Sequence, residues 1–126
     1  EAPAVASPEA AGVLVFNRAE VLARLMDDES LLTQIQQCFL EEMPGQIQAL
    51  KELVERGDVK RAGAQAHKIK GAAANLGGEA LCGVALAMES AAVDGNTSLL
   101  AQQMPEMERQ FSRLKQAMQT DATKGI

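Results

Sequence analysis

The sequence predicts an all-α fold, an antiparallel up-down four-helix bundle with a short additional N-terminal helix. Three observations carry this. Ala, Leu, Met, Gln and Glu, all good helix formers, dominate a chain of 126 residues that is 47% hydrophobic. Strand-favouring side chains are scarce: aromatics make up 2% of the chain, and there is no Trp or Tyr. Apolar residues recur at spacings of three and four between short turn signals, the spacing of one helix face. The length suits one domain with a single core.

Residues 1–15 open with EAPAVASPEAAGV, rich in Ala and Pro and without a periodic apolar face, and are expected to be a linker. The chain has no initiator Met, as expected of a piece of a longer protein. The bundle is expected over 16–119, and a flexible tail over 120–126. The first helix starts at Asn17, an N-cap with Glu20 three residues on, and offers Val21, Leu22, Leu25 and Met26 to the core. Asp27 and Asp28 close it and cap the next.

The second helix carries Leu31, Leu32, Ile35, Phe39, Met43, Ile47, Leu50 and Val54 on one face. Pro44 removes a backbone donor mid-way, and the unbroken phase of the stripe favours a kink over a split. Gly57 then ends this helix and Asp58 caps the third, which runs from Val59 to Leu76 and stops at Gly77 and Gly78. The fourth, Glu79 to Val93, presents Leu81, Val84, Ala85 and Met88. After the turn DGNTS, the fifth shows Leu100, Met104, Met107, Phe111, Leu114 and Met118, a stripe read as core rather than binding groove. Short connections between long helices make neighbours antiparallel.

Composition also excludes functions. A net charge of −5 and a pI near 4.9 oppose nonspecific nucleic-acid binding, which needs a basic surface. There is no aromatic platform for bases. No apolar run approaches the roughly 20 residues that span a bilayer, and no stretch has the layout of a signal peptide. Direct membrane contact is not expected. Cys38 and Cys82 are far apart in helical patterns and are read as buried thiols in a reducing cytoplasm. One His and two scattered Cys make no zinc site, so no metal or cofactor is expected.

The stretch AHKIKGAAANLGG, residues 66–78, holds His67, the single histidine. At roughly 100° per residue, Ile69 and Leu76 fall opposite His67, flanked by Ala62 and Ala72, and form the buried face. Within about 60° of His67 lie Lys60, Gly63, Ala64, Lys70, Gly71 and Ala74, none of them large and apolar. The imidazole is therefore expected in water. Gly63 and Gly71 sit one turn either side of it, and each costs roughly 1 kcal/mol relative to Ala inside a helix. Their presence implies that something approaches the helix backbone closely.

Neutral imidazole is a nucleophile, and the ammonium groups of Lys60, Lys68 and Lys70 favour that neutral form and suit a bound phosphoryl group. The positions one turn away hold no carboxylate to activate water, so a phosphohistidine here is expected to persist. An idle surface histidine is the plain alternative, and the glycines and lysines weigh against it.

These residues resemble the signature of histidine-containing phosphotransfer (HPt) domains, His-x-Leu-Lys-Gly followed by small residues and Gly. His67, Lys70 and Gly71 occupy the signature positions, and Ile69 replaces Leu. With Phe39, Pro44 and the RGD of residues 56–58 upstream, the similarity covers residues 16–89, and the fifth helix is compatible with it. The resemblance implies that His67 accepts a phosphoryl group from a receiver-domain phospho-aspartate and passes it to another receiver. Lys70, with Lys68 nearby, would hold the phosphoryl group. Lys60, Gly63, Ala64, Gly71 and Ala74 would form the docking face with part of a neighbouring helix.

It further implies response-regulator receiver partners, in cis or trans, with Mg²⁺ in the receiver and no cofactor of the domain's own. The isolated domain is expected to be monomeric and cytoplasmic, as at the cytoplasmic end of a membrane-anchored hybrid sensor kinase. Kinase dimerisation helices carry an acidic residue directly after their histidine; here that position is Lys68, and no glycine-rich ATP lid exists. A phosphocarrier without its own ATP-binding or hydrolytic site is expected, rather than an enzyme. The alternatives are a chemotaxis-type phosphotransfer domain charged by an ATP-binding domain, and an unmodified helical interaction module.

Overall fold

The computed structural model describes residues 13–124. Five helices follow in order: α1 (Arg18–Arg24), α2 (Glu29–Arg56), α3 (Val59–Asn75), α4 (Glu79–Val93) and α5 (Thr97–Lys124). The four long ones close a ring: α3 packs on α2 and α4, and α5 packs on α4 and α2. This is the expected four-helix bundle, with α1 as the short extra helix.

Local chemistry sets the helix ends. Asn17 Oδ1 accepts from Glu20 N at 3.3 Å, Asp28 Oδ1 from Leu31 N at 3.0 Å, and Asp58 Oδ1 from Arg61 N at 3.2 Å. Each side chain satisfies a backbone donor that the first turn leaves free. Gly57 ends α2 in the left-handed region at φ 73°.

Pro44 does not split α2, which runs unbroken from Glu29 to Arg56 with the proline on its exposed side. Pro105 sits inside α5 in the same way. The core is built from the expected faces, including Leu32, Phe39, Leu50, Ile69, Met88 and Leu114. The methionines Met104, Met107 and Met118 belong to it.

Some residues depart from their expected places. Met26 is 90% exposed because α1 has ended before it and its φ of 56° turns the chain away from the bundle. Leu31 is exposed in the first turn of α2, and Ala72 is only half buried. Of the two cysteines expected to be buried, Cys38 lies on the exposed face of α2 and Cys82 is half buried; both are free thiols. Residues 1–12 of the expected linker lie outside the described residues. Leu14 is tied to α4: its N–H donates to Glu79 Oε1 at 3.3 Å and its carbonyl accepts from Ala80 N at 3.0 Å. The helical backbone of α5 continues to Lys124, beyond the start of the expected tail.

The Gly77–Gly78 turn locks these parts together. Gly77 has φ 74°, and a Cβ there would lie 2.7 Å from Val21 Cγ2 and 2.8 Å from Asn17 O. Its carbonyl accepts from Asn17 N at 2.7 Å. A Cβ on Gly78 would lie 2.7 Å from Leu114 Cδ2. The turn that ends α3 is thus also where α1 and α5 close on it.

Candidate functional site

His67 stands at mid-length on α3. Ala62, Ala66, Ile69 and Ala73 face inward with no exposed surface. The imidazole points the other way, and its side chain is 64% exposed. The helix wheel therefore places the ring correctly.

Because α3 carries small residues toward α4, the two helices approach closely beside the ring. A Cβ on Gly63 would lie 2.8 Å from the Cβ of Ala92. The close approach implied by Gly63 is therefore made by α4 and not left for a partner. Gly71 differs: it is exposed, and a Cβ there would meet nothing within 4 Å.

That approach has a consequence the sequence reading missed. Glu89 of α4, one turn before Ala92, is brought against the ring, with Oε2 2.9 Å from His67 Nδ1. Its other oxygen, Oε1, accepts from Lys70 Nζ at 2.7 Å. The expectation of an imidazole without a carboxylate fails because it considered α3 alone. A signal was present: α3 and α4 form a hairpin about Gly77 and Gly78, and residues equidistant from such a turn face each other. His67 and Glu89, 22 positions apart, are close to equidistant from it.

The three groups form a line: ammonium, carboxylate, imidazole. Lys70, hydrogen-bonded to Glu89, holds the carboxyl below its ordinary range. Partial burial opposes this, and the bond to His67 adds to it. Both Lys70 and Glu89 side chains are 26% exposed, so solvent reaches the pair and screens it. Both Glu89 oxygens are engaged on the Nδ1 side of the ring. Among the described residues, Nε2 has no hydrogen-bonding partner.

The remaining expected residues divide between two sides. Lys60, Gly63 and Ala64 line a groove of about 570 Å³ with His67, Glu89 and Val93. Lys68 lines a different cleft, on the α2 side, with Phe39, Glu42 and Gln46. Ala74 is exposed near the end of α3, where Arg24 Nη2 bonds the carbonyls of Ala74 and Asn75 at 3.3 and 3.2 Å. This adds a cation at the helix C-terminus, where it is favoured. A larger cleft of about 630 Å³, lined by Val15, Phe16, Arg113 and Ala117 among others, shares no residue with the groove beside His67. Among the described residues, no group of three or more His, Cys, Asp or Glu gathers, and no helix is long and apolar enough to cross a membrane.

With this geometry in place, comparison with known families is decisive. The family model described as "Hpt domain" matches residues 34–121, from within α2 to within α5. The chain belongs to the Hpt domain family. Searches of the curated proteins and of the solved structures return no match. Hpt domains are phosphocarrier modules that serve histidine phosphotransfer in phosphorelays and interact with receiver domains. In this Hpt domain the match spans His67, Lys70, Gly71 and Glu89, and α1 lies outside it.

Proposed function

We propose that His67 is the phosphoryl-carrying residue, accepting the group from a phospho-aspartate on one receiver domain and passing it to another. The observation that carries this reading is the exposure of the chain's single imidazole, with Nδ1 held by Glu89 and Nε2 open to solvent. A nucleophile must reach phosphorus in line, and an unobstructed ring nitrogen on a smooth helix face allows that. Gly71 and Ala64 leave the receiver room to approach, while Lys60 in the groove beside His67 and Lys68 on the α2 side supply positive charge to the two flanks of the docking face.

Lys70 has a second part beside that of helping to hold the phosphoryl group, the one the resemblance implies. In the resting domain it is bonded to Glu89, so it acts on the ring through that carboxylate. Persistence of the phosphohistidine still follows: Glu89 is engaged on the far side of the ring and does not face a water approaching Nε2. The domain works as a monomer, in cis or in trans to its receivers, and the Mg²⁺ of the reaction belongs to the receiver. It needs no ATP site of its own and serves at the cytoplasmic end of a signalling kinase.

The test is labelling. The domain is mixed with receiver domains charged by acetyl phosphate and Mg²⁺, and separately with an ATP-loaded kinase domain. Acid-labile, base-stable label on His67 from a receiver supports the reading. Label only from the ATP-loaded domain assigns it to the chemotaxis-type alternative. Absence of label from either source leaves an unmodified interaction module.

A further inference from the structure

We propose that the receiver domain that reaches His67 docks chiefly on α4: an apolar, charge-poor patch beside its aspartate covers Leu86 and Val93, and the α2 flank forms only the polar rim. The inference rests on the reading of His67 as phosphoryl carrier and deepens it by naming where the partner sits.

The large hydrophobic side chains exposed among the described residues are Leu14, Met26, Leu31, Leu86 and Val93. Exposed singly, such residues are ordinary. Leu14, Met26 and Leu31 are scattered around α1 and the first turn of α2. Leu86 and Val93 are different: two turns apart, they share one face of α4 and are 51% and 83% exposed. At roughly 100° per residue, Glu79, Cys82, Gly83, Glu89 and Ser90 lie within about 60° of Leu86. The two glutamates are the only charged residues of α4, and both are engaged. Glu79 Oε2 accepts from Asn17 Nδ2 at 2.6 Å, and Glu89 holds Lys70 and His67. This helix therefore turns an apolar stripe to solvent. The exposed residues of α2 and α5 instead include Glu41, Glu42, Glu52, Glu108, Arg109 and Lys115.

Gly83 is an independent sign of a partner. It lies inside α4 on the exposed side, and a Cβ there would meet nothing within 4 Å. A glycine inside a helix lowers its stability relative to alanine. No described residue uses the space that this one leaves. Gly71 on α3 is the same, so both helices beside His67 leave room for an outside surface.

Position ties the stripe to a receiver. Glu89 meets the ring at 2.9 Å, and Leu86 and Val93 lie about one turn, roughly 5 Å along the axis, either side of it. Val93 lines the same groove as His67, and so does Lys60, whose charge complements a phospho-aspartate. Hpt domains interact with receiver domains, and a receiver must bring its aspartate to Nε2. A standard interface covers about 800 Å² of each partner, a disc of roughly 16 Å radius, so a receiver centred on His67 covers the stripe. The same disc reaches the α2 side, where the cleft holds Glu42, Gln46 and Lys68. Interface cores are depleted in charge and rims are polar, which puts the core on α4 and the rim on α2.

The probe is the receiver domain that labels His67 in the test above. Initial rates of phosphoryl uptake are measured against receiver concentration for the native domain and for the double variant Leu86→Gln, Val93→Gln, which removes apolar surface without adding charge. The double variant should raise the half-saturating receiver concentration roughly tenfold, the scale of lost hot-spot contacts, and leave the saturating rate unchanged. Glu42→Gln on the α2 flank should raise it by less than about twofold, as a rim contact does. These are surface substitutions, and circular dichroism checks that the variants fold. Amide ¹⁵N shifts of the labelled native domain, titrated with the same receiver, should move along α4 from Gly83 to Val93.

A double variant with native half-saturation overturns the proposal, as does one that lowers only the saturating rate, or amide shifts confined to α2. A native domain that dimerises in sedimentation while the double variant stays monomeric assigns the stripe to a second copy and overturns it too. In each of these cases native labelling stands, so the carrier reading survives. If the native domain takes no label from any receiver, both fail.

Discussion

Gly63 and Ala92 meet where a methyl group on the glycine would lie 2.8 Å from the alanine Cβ, and this contact sets the distance between α3 and α4 beside His67. Neither partner has a flexible end that could give way. Gly63→Ala would gain about 1 kcal/mol of helix propensity but forces the helices apart, at a cost of about 1–3 kcal/mol. The expected result is a lower Tm, together with a weakened His67–Glu89 bond visible in the ring ¹⁵N shifts. Gly71→Ala meets nothing within 4 Å and should raise Tm instead. A bulky residue at Gly71 should leave the fold intact and slow transfer by obstructing the receiver. Equal Tm changes for the two alanine variants would contradict the packing assigned to Gly63.

His67→Gln should abolish labelling while stability changes by no more than about 0.5 kcal/mol, as expected of a substitution on the surface. The side chain is 64% exposed, and among the described residues its one polar contact with another helix is that of Nδ1 with Glu89. Thermal unfolding followed by circular dichroism measures this. A large drop in Tm would mean that the imidazole supports the bundle.

The reach of the sequence differs sharply between the fold and the site. Helix ends depend on residues three or four positions apart, so Asn17, Asp28 and Asp58 could be assigned as caps from spacing alone. The exposure of His67 follows from the phase of α3, which is equally local. Met26 fails because a helix wheel cannot tell that the helix has already ended and turned left-handed. Glu89 escapes because its meaning is tertiary: it becomes a site residue only where Gly63 lets α4 approach. The cost of Gly63 within a helix is legible in the sequence, but the surface that fills the space it leaves is not.

The Lys70–Glu89–His67 line has a defined pH signature. The Lys70 hydrogen bond, aided by His67 and opposed by partial burial, lowers the Glu89 carboxyl below its ordinary value. A carboxyl lowered by folding stabilises the folded state fully above its unfolded value of about 4.3. That contribution is lost as pH falls through the lower folded value. Glu89 should therefore remain ionised at a pH where an ordinary glutamate is half protonated. Side-chain carboxyl ¹³C shifts followed through acid measure this directly. Lys70→Ala removes the largest cause, so the Glu89 titration should move up toward the ordinary range. No movement would show that Lys70 does not engage Glu89 in solution.

The two thiols should separate by reactivity. Cys82 is half buried in α4, and burial raises its thiol; Lys70 pulls it back down, and Glu79 pushes it up. The thiolate is the reacting form, so a raised thiol reacts slowly. Cys38 sits on the exposed face of α2 and meets reagent freely. Iodoacetamide at about pH 8 should therefore alkylate Cys38 well before Cys82, resolved by peptide mass. Lys70→Ala removes the one group that lowers the Cys82 thiol, so it should slow Cys82 further and leave Cys38 unchanged. Alkylation of Cys82 first would instead mean that α4 opens locally in solution, and the His67–Glu89 contact would then open with it.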